Sequence, residues 1–146
     1  MALAGRDGGL PARAPLWHHA GMTDPTPEIL VDASGLARRL KAFAAARAWG
    51  QFHSPKNLVM ALSNEVGELT EIFQWLTEEQ SRHVLDTPQG VAAVASELAD
   101  VLFYFVRLAD ELGVDLNQAA QSKLAINEAR YPADKVYGTN KKYDQL

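Results

Sequence analysis

The sequence predicts an all-α domain built as a compact helical bundle. Apolar residues recur at helical spacing over long stretches, and no alternating apolar run is long enough for a convincing strand. Two dipeptides, Ser54-Pro55 and Thr87-Pro88, each place a hydroxyl residue at a helix N-cap and a proline at the first helical position. No internal repeat divides the chain, so one bundle is the simplest architecture.

Four helices are expected in chain order. An apolar stripe of Leu36, Leu40 and Phe43 predicts the first helix, and the two proline dipeptides begin the second and the third. Gly113 ends the third helix, and Pro132 stops the fourth because proline cannot extend the hydrogen-bond ladder. The predicted helices cover residues 34–49, 55–76, 88–112 and 116–130.

Shorter signals define the connections and the ends of the domain. The segment Thr77-x-x-Gln80 resembles a capping box for a short connecting turn, and Asp115 is the expected N-cap of the fourth helix. Residues 1–27 are rich in Gly, Pro and Ala and are predicted to be a flexible tail, within which Met22 could be the true start. The helical domain is expected to span residues 28–132, and residues 133–146 form a flexible basic tail.

Composition excludes several classes of function. A chain of 146 residues with 47% hydrophobic content suits a single globular domain, and its net charge of -4 argues against bulk nucleic acid as a partner. The sequence contains no cysteine, so a metal site would have to use oxygen or imidazole donors. No apolar stretch approaches the roughly 18 residues of a membrane span. We therefore expect a cytoplasmic protein with no membrane partner.

Two acidic pairs, Glu65-x-x-Glu68 and Glu97-x-x-Asp100, interrupt the apolar second and third helices. Charged side chains resist burial unless they are paired or bind a cation, and no equally regular set of Lys or Arg accompanies them. Glu65 falls inside the apolar face of its helix, and the other three acidic residues lie at the borders of the two faces. If the two helices pack as an antiparallel pair, all four carboxylates meet around one space.

The apolar faces that predict this arrangement follow from a helical period of about 100° per residue. On the second helix the face consists of Leu58, Leu62, Leu69, Ile72 and Leu76. On the third helix it consists of Val94, Leu98, Val101, Phe105, Leu108 and Leu112.

Four oxygen donors favour a hard cation such as Mg²⁺, with Mn²⁺ as a substitute, and Mg²⁺ usually shares its coordination shell with substrate phosphates. A di-iron bundle would instead need Glu-x-x-His pairs, but the positions where such pairs would carry histidine are Glu68 and Asp100. Alternatively, the acidic residues are solvated charges or pair with basic residues across a subunit interface.

The acidic pairs resemble the motif of the MazG-like all-alpha nucleotide pyrophosphohydrolases, which is Glu-x-x-Glu, a spacer and Glu-x-x-Asp on paired helices. A longer match, from about residue 34 to the C-terminus, resembles the dCTP pyrophosphatase branch of this family. The matching segments are Trp49, Phe52-His53, residues 56–58, 64–69 and 71–75, residues 97–102, Tyr104, Ser122-Lys123, Asn127, residues 130–132 and Lys142-Tyr143.

The resemblance implies a tightly interlocked dimer, often assembled as a tetramer, and Mg²⁺-dependent cleavage of a nucleoside triphosphate to a monophosphate and pyrophosphate. It implies that Glu65, Glu68, Glu97 and Asp100 are metal ligands. We hypothesise that Glu65 or Glu68 also polarises the attacking water, and that Glu71 either orients a metal-bound water or is a solvated helix charge.

The same resemblance implies a set of substrate-binding residues. Trp49 and Trp75 match aromatics of the base pocket, and Lys123 and Asn127 match contacts to phosphate or sugar. Leu40 stands where some members of the branch carry histidine, a departure that concerns the base preference rather than the metal. The full predicted set is Trp49, His53, Lys56, Trp75, Tyr104, Lys123, Asn127, Arg130 and Lys142.

The leading hypothesis from the sequence is nucleotide-pool sanitation with dCTP or a modified cytosine nucleotide as substrate. One alternative is pyrophosphate removal from another nucleotide, such as dUTP, on the same carboxylate scaffold. A different alternative is a noncatalytic helical module for nucleotide sensing or oligomerisation. The strongly apolar helices favour a homodimer or homotetramer, because they need more covered surface than one short bundle supplies.

Overall fold

The computed structural model describes residues 28–138, which contain α-helices and short 3-10 turns and no strand. This confirms the predicted all-α class. The helices are α1 (Ser34–Ala45), α2 (Pro55–Phe73), α3 (Glu78–Arg82), α4 (Pro88–Leu112), α5 (Leu116–Arg130) and α6 (Ala133–Val136). The 3-10 helices are Trp49–Phe52 and Val84–Asp86.

The helix starts lie where the capping residues predict them. The side chain of Ser54 accepts a hydrogen bond of 3.3 Å from the amide three residues on, and Thr87 accepts an equivalent bond of 3.1 Å. Thr77 and Gln80 form a reciprocal capping box at the start of α3, and Asp115 caps α5. These bonds satisfy amides that have no partner within the first helical turn.

The first helix is shorter than the sequence predicts, since α1 ends at Ala45 rather than near residue 49. The guanidinium of Arg47 explains the difference, because it donates to the carbonyl oxygen of Phe43 at 3.0 Å and lies 3.5 Å from the centroid of the Phe43 ring. The side chain thereby satisfies a carbonyl that a longer helix would bond through its backbone. Ala48 then takes a left-handed conformation with φ of 55°, and the 3-10 turn begins at Trp49.

The centre of the domain is the packing of α2 against α4. Ile72 near the end of α2 shares a cavity with Ala93 near the start of α4, whereas Glu65 in the middle of α2 is close enough to Asp100 to feel its charge. Higher residue numbers on α2 therefore meet lower numbers on α4, so the pair is antiparallel, which is the packing that the expected meeting of the carboxylates requires. Helix α1 packs against the same α4.

The apolar face predicted for the third helix is only partly buried within this chain. Val94 is buried, but Leu98, Phe105 and Leu112 expose about half of their surface at 51%, 46% and 55%. A helical period indicates which residues share a face, and it cannot distinguish a face covered by the same chain from one left open. Among residues 28–138, the buried apolar side chains are Ala44, Leu58, Val94, Val106 and Ala109.

The α5 helix packs more loosely than the central pair, and none of its residues is buried. Its start is tethered to the extended segment before α1, because Asn117 accepts hydrogen bonds from the amides of Leu30 and Val31 at 2.8 and 3.1 Å. Gln121 also donates to the carbonyl oxygen of Glu28 at 2.6 Å.

The structure leaves the predicted tails largely outside the described residues. Residues 1–27, with the predicted N-terminal tail, and residues 139–146 lie outside them, while α6 falls within the segment 133–146 that the sequence assigns to a flexible tail. Within residues 28–138, no helix is both long enough and apolar enough to cross a membrane.

Gly90 permits close contact between the start of α4 and the preceding 3-10 turn, because a Cβ atom there would lie 1.8 Å from the carbonyl oxygen of Val84. We expect Gly90→Ala to lower the free energy of unfolding by at least about 1–3 kcal/mol, since backbone must shift to admit the methyl group. Chemical denaturation at one fixed protein concentration measures this change.

Gly67→Ala is the matched control. A Cβ atom at Gly67 meets nothing within 4 Å, and replacing a glycine inside a helix by alanine should stabilise the protein by roughly 0.5–1 kcal/mol. An unfolding free energy of Gly90→Ala equal to that of the wild type would contradict the predicted steric conflict.

Candidate active site

Three carboxylates from the α2–α4 pair converge in the structure. Glu65, Glu68 and Glu97 each place an oxygen so that these atoms lie within 4.8 Å of one another. Glu65 and Glu68 are one helical turn apart on α2, and the antiparallel packing brings Glu97 of α4 beside them. The convergence predicted from the two acidic pairs is thus present for three of the four residues.

Electrostatics at the centre of this group is unfavourable for negative charge. The pKa of Glu65 is raised above its ordinary value, mainly because burial removes water from the carboxylate and then because Glu68, Asp100 and Glu97 repel its charge. No described lysine or arginine forms an ion pair with these four residues. The group is therefore short of positive charge.

Asp100, the fourth predicted ligand, lies at a greater distance. Its charge contributes to the raised pKa of Glu65, but it does not belong to the group of oxygens within 4.8 Å. Asp100 is partly buried on α4, one helical turn beyond Glu97. Its assignment as a metal ligand stays a prediction.

Two adjoining cavities open beside the carboxylates. The first has a volume of about 560 Å³ and lies between α2 and α4. It is lined by Asn64, Glu68, Glu71, Ile72, Ala93 and Glu97. The second has a volume of about 390 Å³ and lies along α2 alone. It is lined by Met60, Ser63, Asn64, Gly67, Glu68 and Glu71.

Asn64, Glu68 and Glu71 line both cavities. The sequence analysis assigns Glu71 either to orienting a metal-bound water or to a solvated helix charge, and the structure places it along the same space as the carboxylate group. Asn64 donates a hydrogen bond of 2.6 Å from its side-chain amide to Glu68 Oε1. The sequence analysis includes Asn64 only in the matched segment and assigns it no role, although its spacing of four residues from Glu68 permits this contact on a helix.

The predicted aromatic residues lie on three different parts of the chain. Trp49 begins the 3-10 turn, where its ring contacts Phe43 edge-on at a centroid distance of 5.7 Å and His53 at 6.5 Å. Trp75 follows the end of α2 and is 86% exposed. Tyr104 lies on α4 one turn beyond Asp100 and is partly buried.

The predicted cationic and amide residues lie on α2 and α5. Lys56 is exposed in the first turn of α2, and Lys123, Asn127 and Arg130 lie on α5. Neither cavity is lined by any of these four residues. Lys142 lies outside the described residues.

Comparison with known proteins identifies the scaffold. The MazG-like family matches residues 60–146, which include both acidic pairs. The chain belongs to the MazG-like family. This confirms the resemblance predicted from the motif.

Curated relatives of this MazG-like chain share a common name. The dCTP pyrophosphatase 1 of Homo sapiens is 49% identical over 110 residues, which cover 75% of this chain and 65% of that protein. The proteins of the same name from Bos taurus and Mus musculus are 47% and 48% identical over the same length. The chain thus spans about 65% of the length of these relatives.

A solved structure supports the MazG-like fold. A crystal structure of a pyrophosphatase from Archaeoglobus fulgidus aligns with a TM-score of 0.62 and 38% sequence identity, covering 67% of this chain and 90% of that one. The fold of this chain is therefore similar to that of a protein described as a pyrophosphatase.

The donor set of the MazG-like chain fits a divalent metal ion. Three carboxylate oxygens within 4.8 Å of one another form an all-oxygen site, which suits hard cations. A cation would also compensate for the lost hydration and the carboxylate repulsion that together raise the pKa of Glu65. These observations support a divalent metal at this position.

The raised pKa of Glu65 leads to a prediction about stability without metal. The folded protein holds the Glu65 proton more tightly than the unfolded chain does, so stability should fall as pH rises through the raised pKa, above the ordinary value of 4.5. At neutral pH in EDTA, we expect Glu65→Gln to unfold at a higher temperature than the wild type. The difference should shrink as pH falls towards 4.5.

Calorimetric or fluorescence melting of both proteins across pH measures this effect, and adding Mg²⁺ should stabilise the wild type more than the variant. A variant that is less stable than the wild type in EDTA at neutral pH would contradict the expected repulsion.

Proposed function

We propose that this chain is a Mg²⁺-dependent nucleoside triphosphate pyrophosphohydrolase that converts dCTP, or a modified cytosine nucleotide, to the monophosphate and pyrophosphate. The observation that carries the proposal is the group of three carboxylates beside two cavities on a MazG-like helix pair. The names of the curated relatives favour dCTP as the substrate. Such a substrate is consistent with the cytoplasmic location that the sequence predicts.

Glu65, Glu68 and Glu97 would hold the metal, with Asp100 as the proposed fourth ligand. When bound, Mg²⁺ supplies positive charge to the phosphate oxygens and lowers the pKa of water. The carboxylates repel the triphosphate unless a cation compensates for their negative charge. By fixing the position of the cation, they would therefore also fix the position of the phosphates.

The proposed reaction is the attack of water on the α phosphorus. A bond forms from the water oxygen to this phosphorus, the bond to the oxygen bridging to the β phosphorus breaks, and pyrophosphate leaves with the electron pair. Glu71 borders both cavities and lies outside the tight carboxylate group, so we place it beside the water as the residue that orients it. A carboxylate of the site accepts the proton that the water loses.

The remaining predicted residues would recognise the nucleotide. Trp49 and Trp75 have exposed ring surface on which a base can stack, an interaction worth about 1–3 kcal/mol per base. Lys123 and Asn127 are four residues apart on α5 and can contact phosphate and sugar oxygens together. Since these residues do not line the cavities of the described chain, a second copy completes the site in this proposal.

The exposed apolar residues of α4 support an assembly of at least two chains. Val91, Leu98, Phe105 and Leu112 recur every seven residues, and each is 46–55% exposed. This spacing is typical of a helix face that packs against another helix along its length. We therefore propose that this face binds a second copy of the chain, as a homodimer or within a homotetramer.

The first experiment tests the reaction. Purified protein is incubated with Mg²⁺ and a panel of canonical and modified nucleoside triphosphates, and monophosphate and pyrophosphate are quantified by chromatography. We expect dCTP or a modified cytosine nucleotide to give the highest kcat/KM. Glu97→Gln should lower this kcat/KM by at least about 100-fold, because replacing a residue that only supports a metal ligand already costs up to about 100-fold in activity.

Glu78→Gln is the matched control, since Glu78 is an exposed glutamate on α3, away from the carboxylate group. It should keep wild-type activity. The absence of pyrophosphate release from every nucleotide, with Mg²⁺ or Mn²⁺, would replace the catalytic proposal by a sensing or structural role.

A second experiment tests the assembly. Phe105→Lys places a charge in the middle of the exposed α4 face, and we expect it to shift the protein from a dimer or tetramer to the monomer. Sedimentation velocity at micromolar concentration measures the change, and Tyr137→Lys, at a side chain that is 96% exposed, is the control. A monomeric wild type would overturn the proposed interface.

A further inference from the structure

Asn64 occupies a position that the reaction proposed above leaves without a role. It lies on α2 between the two cavities and donates a hydrogen bond of 2.6 Å to Glu68 Oε1. Glu68 is exposed, and this bond is the contact that restrains its carboxylate among the described residues. The amide therefore contacts one of the two oxygens of Glu68.

The geometry leaves the two oxygens of Glu68 with different surroundings. Oε1 accepts the Asn64 amide proton, while the carboxylate as a whole lies in the group whose oxygens converge with Glu65 and Glu97. Outer hydrogen bonds of this kind fix the orientation of a metal-ligating carboxylate before the ion arrives. A long flexible side chain such as Glu would otherwise lose rotational freedom when the ion binds.

We propose that Asn64 is a positioning residue that orients Glu68 for divalent cation binding; this inference rests on the metal site of the proposed function. The neutral amide suits this position, because it donates a proton to Glu68 without adding charge to a group that already repels itself. Aspartate has nearly the same shape but offers no donor when ionised, and it would place a further negative charge beside Glu68.

A purely structural role for Asn64 makes different predictions. An amide–carboxylate pair four residues apart also stabilises an exposed helix slightly. If that were its whole role, substitution would change the melting temperature of metal-free protein and leave the affinity for metal unchanged. The affinity for metal without nucleotide is therefore the deciding quantity.

Titration of nucleotide-free protein with Mn²⁺, followed by calorimetry and by the electron paramagnetic resonance signal of free Mn²⁺, measures this affinity. We expect Asn64→Ala to weaken binding roughly 10- to 100-fold, because Glu68 then loses the hydrogen bond that orients it. Asn64→Gln keeps the amide donor on a longer arm and should recover part of the loss. Ser81→Ala is the control, because Ser81 lies on α3, lines neither cavity and should leave the affinity unchanged.

A double-mutant cycle identifies the residue through which Asn64 acts. In a Glu68→Gln background, Asn64→Ala should weaken Mn²⁺ binding by less than threefold, whereas in a Glu97→Gln background it should keep its full effect. Equal effects in the two backgrounds, or unchanged affinity in Asn64→Ala, would overturn the role of Asn64 and leave the proposed function standing. Wild-type protein that binds no Mn²⁺ would overturn the metal site together with this inference.

Discussion

Burial of an acidic group between α2 and α4, together with the repulsion within that group, is the constraint on which the rest of the domain depends. Glu65 is partly buried beside three other acidic residues, and this arrangement lowers stability until protons or a cation compensate for it. The packing of two long helices must hold the group together against this cost. The N-caps Ser54 and Thr87 fix where the two helices begin and so determine which residues meet across the pair.

The carboxylate group and most of the residues predicted to recognise the nucleotide lie on parts of the domain that are packed to different extents. The carboxylate group is built on the α2–α4 pair, where the packing is most extensive. Four of the residues predicted to recognise the nucleotide lie outside this pair, on the 3-10 turn with Trp49, in the turn after α2 with Trp75, and on α5 with Lys123 and Asn127. None of these three segments has a buried residue in the described chain. A scaffold of this kind can keep the chemistry constant while the recognition of the base varies.

Local signals made much of this fold predictable. Caps and glycines marked the helix starts and the left-handed end of α4 at Gly113, and the two acidic pairs predicted the meeting of Glu65, Glu68 and Glu97. The early end of α1 could not be foreseen because it depends on a side-chain contact from Arg47 to a backbone carbonyl.

Other features depend on surroundings that periodicity does not encode. The exposure of Leu98 and Phe105 reflects which neighbours the chain supplies, and a helical period is the same whether a face is covered or open. Whether Asn127 reaches the carboxylates likewise depends on packing beyond its own helix, so the sequence could assign it a role only through the family resemblance.

The hydrogen bonds of Asn117 hold the N-terminal end of α5, so a small tilt of this helix would displace its C-terminal end the most. Asn117 is fixed to the segment before α1, and Asn127 lies ten residues further on, about 15 Å along the axis at 1.5 Å per residue. A tilt of about 10° at the tether would carry Asn127 through roughly 2.6 Å, nearly the length of a hydrogen bond. Whatever holds the far end of α5 therefore sets the precision with which its polar residues would meet the proposed nucleotide.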